Sequence, residues 1–215
     1  MYFLKTSFNG DTNLGLYGFA TDKYCLLGFS GKKVKHVLKV PIYPCKILNI
    51  DMAGIFVAGN SHGIVINDVV EDYNIKSLQR YFDNILILKT KYTAVGNLIM
   101  MNDNGAIISP LIKKHRKEIE EFFGISCAVS TIAKQKIVGN LGIATNKGCL
   151  LHPKVRAKEK EIIEKILTVS CDIGTVNFGS MYPGAGLLVN SNGFVTSEKT
   201  SGPEMGRITE ALGFL

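Results

Sequence analysis

Cysteine and histidine are the residue types in this sequence that could act as nucleophiles, proton carriers or metal ligands. The chain has five cysteines and four histidines in 215 residues. A catalytic cysteine needs a histidine and an acidic group beside it, and a zinc site needs ligands at short, regular spacing. No two cysteines form a C-x-x-C pair, and no histidine has metal-ligand spacing to a cysteine or to another histidine. We therefore expect no bound metal and no cofactor.

The odd number of cysteines also argues against a disulfide framework. We expect the thiols to be small buried hydrophobic groups, and a reducing cytoplasm is the simplest location. The first residues, MYFLKTSFNGDTN, lack the basic and long apolar regions of a signal peptide, and no apolar run approaches the ~18 residues that a transmembrane helix needs. The cysteines are Cys25, Cys45, Cys127, Cys149 and Cys171, and the histidines, interpreted as structural or surface residues, are His36, His62, His115 and His152.

Two short basic runs could bind a polyanion. They are KKVKH (32–36) and KKHRK (113–117), in a chain with a formal net charge of +7. Each run could be the solvated face of a helix, or it could contact an RNA backbone in a charge-driven, salt-sensitive way. Neither run is interleaved with the aromatic residues that stack single-stranded bases. In the second run, the residues that would contact RNA are Lys113, Lys114, Arg116 and Lys117.

The elements that must position these residues are repeated along the chain. GNLIMMNDNGAIISP (96–110) has a close copy, GNLGIATNKGCLLHP (139–153), and related stretches begin at residues 15, 54 and 184. The leading glycines are Gly15, Gly54, Gly96, Gly139 and Gly184. Apolar runs flank a polar turn in each copy, which predicts a tight β-hairpin. A period of about 40 residues is typical of a repeat architecture.

The hairpin turn carries a second regular glycine. Nine residues after the leading glycine come Gly63, Gly105, Gly148 and Gly193, whereas the first copy has Tyr24. We interpret the glycine as the residue that adopts a left-handed conformation and closes a short loop with a bulge. Tyr24 lacks that freedom, so we expect a different turn geometry in the first copy.

Each hairpin is followed by a helical pattern and then by another strand-like run. In KEKEIIEKIL (158–167), for example, the isoleucines and the leucine share one helical face. The unit is therefore hairpin, helix and strand, about 43 residues long, written five times. The amino-terminal run MYFLKTSF is expected to supply the strand that the last copy lacks, which would close a ring without free sheet edges. The fixed spacing makes two or three unrelated α+β domains a poorer interpretation.

This organisation resembles the pentein fold. The predicted fold class is α/β, a closed ring of five pseudo-symmetric ββαβ repeats with sheets inside and helices outside. We expect a single domain over residues 1–215, with repeats at approximately 1–45, 46–84, 85–123, 124–167 and 168–215. Such a closed ring has little need to oligomerise, so a monomer is expected.

Four motifs are more specific than the fold. They are YTAVGNLIMMNDNGAIISP, IVGNLGIATNKGCLLHP, DIGTVNFGS and TSGPEMGRITEALG. Together, and in this order, they resemble the archaeal translation initiation factor 6 family over essentially the whole chain. The resemblance implies a ribosome anti-association factor that binds the large subunit, beside a ribosomal protein and the sarcin–ricin loop, and blocks the small subunit. It also implies a role in large-subunit maturation.

The pseudo-symmetry predicts where such a factor would dock. The residues that follow the leading glycines should cluster at one end of the ring, and they are Leu16, Ile55, Asn97, Asn140 and Ala185. The resemblance favours a ribosome-docking role for this end, and for Asn97 especially. The alternative is that Asn97 and Asn140 only cap strands by bonding the local backbone.

Two other functions remain open at this point. Pentein enzymes modify guanidino substrates with a cysteine near the carboxyl end, and Cys171 is the nearest candidate here. Cys25 and Cys149 share one repeat position, which fits packing better than catalysis. The third interpretation is a general basic RNA-binding protein, which would bind unrelated RNAs with equal affinity and a steep salt dependence.

Overall fold

The computed structural model describes residues 2–28 and 31–215. It contains five separate sheets of three strands, and each sheet joins an antiparallel hairpin to a third strand that runs parallel to the second hairpin strand. The strands are β1 (Phe3–Lys5), β2 (Gly18–Ala20), β3 (Cys25–Leu27), β4 (Ile42–Pro44), β5 (Ala58–Asn60), β6 (Gly63–Asn67), β7 (Ile85–Leu88), β8 (Ile99–Met101), β9 (Gly105–Ile108), β10 (Ser126–Val129), β11 (Gly142–Ala144), β12 (Cys149–Leu151), β13 (Cys171–Ile173), β14 (Leu188–Asn190) and β15 (Gly193–Thr196).

Two sets of helices accompany the sheets. One longer helix, here called an outer helix, follows the second strand of each sheet and, in the first four sheets, leads to the third strand. The five outer helices are Lys32–Leu38, Asp72–Leu78, Arg116–Phe123, Ala157–Leu167 and Gly202–Ala211. One single-turn helix, here called an inner turn, precedes each hairpin, and the five are Leu14–Leu16, Ala53–Phe56, Val95–Asn97, Val138–Leu141 and Pro183–Gly186. A further 3-10 helix, Pro110–His115, leads into the third outer helix. The predicted α/β fold of five ββαβ repeats is confirmed.

The amino-terminal strand completes the last sheet, as predicted. Strand β1 pairs in parallel with β15, and Phe3 lies opposite Phe194. The fifth sheet therefore has the order β14-β15-β1, which matches the hairpin-plus-strand order of the other four. Because the first strand supplies what the last repeat lacks, the two ends of the chain close the ring.

The hydrophobic cores lie between neighbouring repeats. Each of five buried clusters combines residues of two successive repeats. The cluster that joins the fifth repeat to the first contains Val195 and Leu188 from one side and Leu27 and Val34 from the other. Since no repeat has a core of its own, the repeats stabilise one another around the ring.

The leading glycines bring the five repeats together at the centre. A methyl group on Gly96 would lie 2.0 Å from the carbonyl oxygen of Gly54, and one on Gly54 would lie 2.0 Å from that of Gly15. The same contact joins Gly139 to Gly96 and Gly184 to Gly139. A methyl group on Gly15 would in turn lie 2.0 Å from the carbonyl oxygen of Gly184, which closes the circle. Only glycine permits this approach, since real Cβ atoms do not come so close to an oxygen.

The interpretation of the hairpin glycines was wrong. None of the four has a positive φ angle. Instead, a methyl group on Gly105 would lie 2.1 Å from the carbonyl oxygen of Ile166, and one on Gly148 would lie 2.1 Å from that of Ala211. These carbonyls belong to the outer helix of the following repeat. At Gly105 and Gly148 the position needs glycine because the next helix packs against it, not because the turn is left-handed.

The expected difference in the first turn was wrong as well. The Thr21 hydroxyl accepts hydrogen bonds from the backbone N–H groups of Lys23 and Tyr24. The Asn102 side chain accepts the same pair of bonds from Asn104 and Gly105. The turn is held by its first residue, an asparagine or threonine, so it tolerates tyrosine as readily as glycine at its last position.

Candidate functional site

The inner turns form one end of the ring, here called the inner-turn face. The residue after each leading glycine is partly exposed there, and these residues are Leu16, Ile55, Asn97, Asn140 and Ala185. A methyl group on Gly184 would lie 3.0 Å from Cα of Asn140, and one on Gly139 would lie 3.1 Å from the carbonyl carbon of Asn97. The glycine contacts thus gather the five predicted residues around one small circle.

The two asparagines of this face do not cap strands. Within residues 2–28 and 31–215, neither the Asn97 nor the Asn140 side chain makes a hydrogen bond. The buried asparagines at the opposite end behave differently, since the Asn102 amide donates to the carbonyl oxygens of Thr145 and Leu167 at 3.0 and 2.9 Å. The amides of the inner-turn face are therefore available to a partner, because they already face water and have no competing bond to break.

Tight turns form a rim around the inner-turn face. They follow the third strand of a sheet and lead into the next inner turn, and they span 8–11, 47–50, 132–135 and 176–180. At the tip of the last one, Phe178 is 82% exposed and has a φ angle of 62°. A left-handed conformation is uncommon for a bulky residue, so this turn needs support from elsewhere.

The support comes from a carboxylate on an outer helix. Glu204 accepts hydrogen bonds from the backbone N–H groups of Phe178 and Gly179 at 3.1 and 2.8 Å. It also accepts from the N–H of Ser201, at the start of its own helix. Desolvation raises the pKa of Glu204, but the bonds from Ser201 and Gly179 outweigh it and lower the pKa. The Phe178 ring is thus presented to solvent on a fixed turn, which the sequence analysis did not identify.

A basic groove interrupts the rim after the second sheet. The segment KTKY replaces a tight turn there, and the Asn67 amide holds it by donating to the carbonyl oxygen of Thr90 at 2.7 Å. The groove has a volume of about 600 Å³, and its charged and aromatic residues are Asp68, Lys89, Lys91, Tyr92 and Lys114. Three lysines face one aspartate, an arrangement that suits a phosphate backbone.

The second predicted basic run divides between this groove and the fold. Lys113, Lys114 and Lys117 are exposed, and Lys114 lines the groove. Arg116 instead donates to the carbonyl oxygen of Cys127 at 3.0 Å and pairs with Glu120 at 3.5 Å. Its charge therefore helps to hold the third outer helix against β10.

Comparison with known proteins identifies the chain. Residues 3–211 match the sequence profile of the eIF-6 family.

The chain belongs to the eIF-6 family.

Relatives named translation initiation factor 6 align over their full length. The chain is 36% identical to the protein of Pyrococcus abyssi and 40% identical to that of Thermococcus gammatolerans, over 227 residues that cover 100% of both chains. It is 36% identical to the protein of Methanococcus maripaludis, over 99% of each chain. This eIF-6 family chain is accordingly a relative of archaeal translation initiation factors along its whole length.

The centre of this eIF-6 family ring offers little space for chemistry. The inner-turn face opens to a cavity of about 90 Å³, and the described residues that line it are glycines and apolar side chains such as Phe19, Met100 and Ile143. At the other end, the Asn146 amide donates to the carboxylates of both Asp22 and Asp103, at 2.8 and 2.7 Å. The central cavity contains no cysteine, histidine or acidic side chain among those described residues.

The cysteines of this family member are poor candidates for a nucleophile. All five are free and buried. Burial raises the pKa of Cys45 to about 12, and it also raises the pKa of the Cys25 and Cys149 thiols. A protonated, enclosed thiol is neither nucleophilic nor accessible, so these observations count against a guanidino-modifying enzyme.

No group of histidine, cysteine or acidic side chains suited to a metal ion occurs in residues 2–28 and 31–215. Over the same ranges, none of the helices combines the length and hydrophobicity required to cross a bilayer.

Proposed function

We propose that this chain is a translation initiation factor that binds the large ribosomal subunit and sterically prevents its association with the small subunit. The observation that carries the proposal is the full-length match to archaeal translation initiation factor 6 proteins. Family membership supports the general role in initiation. The form of the molecule supports occlusion, because a rigid ring needs only shape and affinity to block a surface.

The inner-turn face is the proposed docking surface. It contains two asparagines with unused side-chain amides and a partly apolar set of neighbours, Leu16, Ile55 and Ala185. Polar groups that are free before binding can bond a ribosomal protein without leaving an unsatisfied partner behind. Phe178 extends this surface with an exposed aromatic ring, and phenylalanine is enriched at the cores of protein interfaces.

The basic groove beside this face supplies the proposed contact with ribosomal RNA. Lys114 lines the groove, Lys113 and Lys117 are exposed on the same basic run, and Arg116 supports the fold. Phosphate contacts position a protein without reading sequence, so the groove would orient the ring while the inner-turn face provides specificity. We further propose that the factor acts in the cytoplasm as a monomer.

Subunit association on a sucrose gradient tests the proposal. Purified archaeal large and small subunits are mixed with the protein at a magnesium concentration that normally lets them join. We expect the joined-ribosome peak to fall and the protein to sediment with the large subunit. An unchanged peak, with the protein at the top of the gradient, would refute both the partner and the mechanism.

A further inference from the structure

The first outer helix, Lys32–Leu38, exposes only basic side chains. Its buried residues are Val34, Val37 and Leu38, which pack into the core between the first and fifth repeats. Its exposed residues, together with the residue that ends it, are Lys32, Lys33, Lys35, His36 and Lys39. No acidic residue occurs in the helix or directly after it.

This charge has no counter-ion within the described residues. Among these residues, the side chains of the four lysines make no ion pair and no hydrogen bond. The other outer helices carry both signs, with pairs such as Arg116–Glu120 at 3.5 Å and Lys160–Glu164 at 3.7 Å. The first outer helix is thus unlike the rest of the ring in its electrostatics.

The arrangement works against the stability of the helix. Lys32 and Lys35, like Lys35 and Lys39, are neighbours on the helix surface, where like charges repel. Lys32 and Lys33 lie in the first turn, where the helix dipole favours negative charge. No side chain caps the helix at Gly31. A helix built for stability alone would carry glutamate in this turn, so the charge indicates a binding role.

The groove beside the helix has polar side chains and, among the described residues that line it, no acidic one. It has a volume of about 420 Å³ and lies between Lys32 and Lys33 on one side and Thr6, Ser7 and Asn9 on the other. Hydroxyl and amide groups next to lysines are the usual donors to phosphate and sugar oxygens. The helix spans roughly 10 Å at 1.5 Å per residue, which is long enough to follow several phosphates of one strand.

We propose that this helix and the adjoining groove form a second binding surface, for the phosphate backbone of double-stranded RNA. Single-stranded RNA is disfavoured because the helix has no phenylalanine, tyrosine or tryptophan on which a base could stack. An anionic membrane is disfavoured because the apolar side chains of the helix are buried, whereas interfacial helices expose theirs to lipid. The groove reaches Asn9 in the rim turn 8–11, and binding of duplex RNA is measured without ribosomal subunits, so the test is separate from that of subunit anti-association.

The test compares two variants with equal changes in net charge. Lys32→Glu with Lys35→Glu alters the proposed surface, and Lys158→Glu with Lys165→Glu alters exposed positions on the fourth outer helix. Fluorescence anisotropy measures the affinity for a blunt RNA duplex of about 20 base pairs at several KCl concentrations, and thermal unfolding is recorded in parallel.

We expect the first variant to bind at least tenfold more weakly at ~100 mM salt, and its logarithmic salt slope to fall by about two, since each phosphate contact contributes roughly 0.9. Its unfolding temperature should stay the same or rise, because repulsion is relieved. The control variant should lose less than about threefold. Equal losses in both variants would show that only net charge matters, and would overturn the proposal.

Two further measurements test whether the positive charge and the RNA ligand account for the binding. Lys32→Gln with Lys35→Gln removes the charge without reversing it and should give an intermediate affinity. Vesicles containing phosphatidylserine and a polyglutamate peptide should compete weakly for the labelled duplex. If either competes as well as unlabelled duplex RNA, the assignment of the surface to RNA is wrong.

Discussion

The hydroxyl group of Tyr24 donates a hydrogen bond to the carbonyl oxygen of Gly63, 3.1 Å away. Gly63 occupies in the second repeat the position that Tyr24 occupies in the first, so the bond links equivalent residues of neighbouring repeats. The same proton is shared with the carbonyl oxygen of Asn60 at 2.8 Å, and the ring packs edge-on against Phe82, with 4.6 Å between ring centroids. The large side chain of Tyr24 thus takes the place of the close helix contact that is made at Gly105 and Gly148.

Removing this hydroxyl should weaken the contact between the first two repeats. Tyr24→Phe should lower the free energy of unfolding by about 1–3 kcal/mol, because two buried carbonyl groups lose their donor. Tyr24→Gly, which restores the residue of the other repeats, should destabilise more, by about 3–5 kcal/mol, because it leaves a cavity. Urea unfolding measures both. A stable Tyr24→Gly protein would show that the helix can move in to fill the space.

The glycine circle should not tolerate a methyl group. Gly96→Ala places a Cβ atom 2.0 Å from a backbone oxygen of the second repeat, and backbone atoms on both sides would have to shift. We expect a loss of at least ~3 kcal/mol or a failure to fold. Gly206→Ala is the matched control, since nothing lies within 4 Å of its Cβ and it sits inside a helix. That change should stabilise by about 0.5–1 kcal/mol. Similar melting temperatures for both variants would contradict the ring geometry.

Glu159 should make the protein sensitive to acid. Desolvation raises its pKa, but hydrogen bonds from Arg156, Thr131 and the backbone outweigh this and lower the pKa to about 2. A carboxylate whose pKa is lower in the folded state contributes stability above its unfolded pKa, near 4.5, and loses that contribution as the pH falls towards 2.

Glu159→Gln should therefore lower stability at pH 7 and flatten the decline between about pH 4.5 and pH 2. Chemical unfolding at half-unit pH intervals gives the curve. Glu161→Gln, an exposed change on the same helix, serves as the control and should alter stability little. If the Glu159→Gln curve keeps the slope of the parent protein, the carboxylate is not the group responsible.

Asn97→Ala should weaken binding to the large subunit by tenfold or more without reducing stability. The side chain has no hydrogen bond within the described parts of the chain, so its removal breaks nothing in the fold. Asn140→Ala should behave in the same way. Lys147→Ala, an exposed change at the opposite end of the ring, should leave binding intact. Co-sedimentation with large subunits and thermal unfolding separate the two effects, and normal binding by both asparagine variants would move the docking surface elsewhere.

The native protein should react slowly with thiol reagents. Burial raises the pKa of Cys127 to about 12, and every cysteine is enclosed. We expect negligible labelling by a disulfide reagent within minutes at pH 7, and five equivalents after unfolding in guanidinium chloride. One thiol that reacts faster than free cysteine in the folded protein would revive the enzyme hypothesis, and turnover of arginine would then be measured.

The repeat spacing predicted the architecture because it reflects a geometric requirement. Five leading glycines at regular intervals meet in one circle. The amino-terminal strand pairs with the fifth sheet, which otherwise has only a hairpin. The hairpin glycines were misinterpreted because glycine occurs both in left-handed turns and where another backbone group approaches closely. A left-handed turn is a local property, whereas room for the carbonyl oxygen of Ile166 depends on a helix about 60 residues away.

The sequence predicted only those residues of the candidate site whose positions follow from the five-fold repeat. The residues after the leading glycines were found, since one rule places all five. Phe178 was missed because its exposure depends on Glu204, which a sequence pattern does not connect to it. Arg116 was grouped with its lysine neighbours, although its partner is a backbone oxygen on β10. Irregular features of this kind depend on contacts between repeats.

The pairing of β1 with β15 sets an order for biosynthesis. Phe3 is synthesised about 190 residues before its partner, Phe194. The earliest strand must therefore remain unpaired while four complete sheets assemble behind it, and its apolar edge is exposed throughout elongation. Closure of the ring must consequently wait until β15 has been synthesised, and a protein bound to β1 on the nascent chain would delay this step of folding.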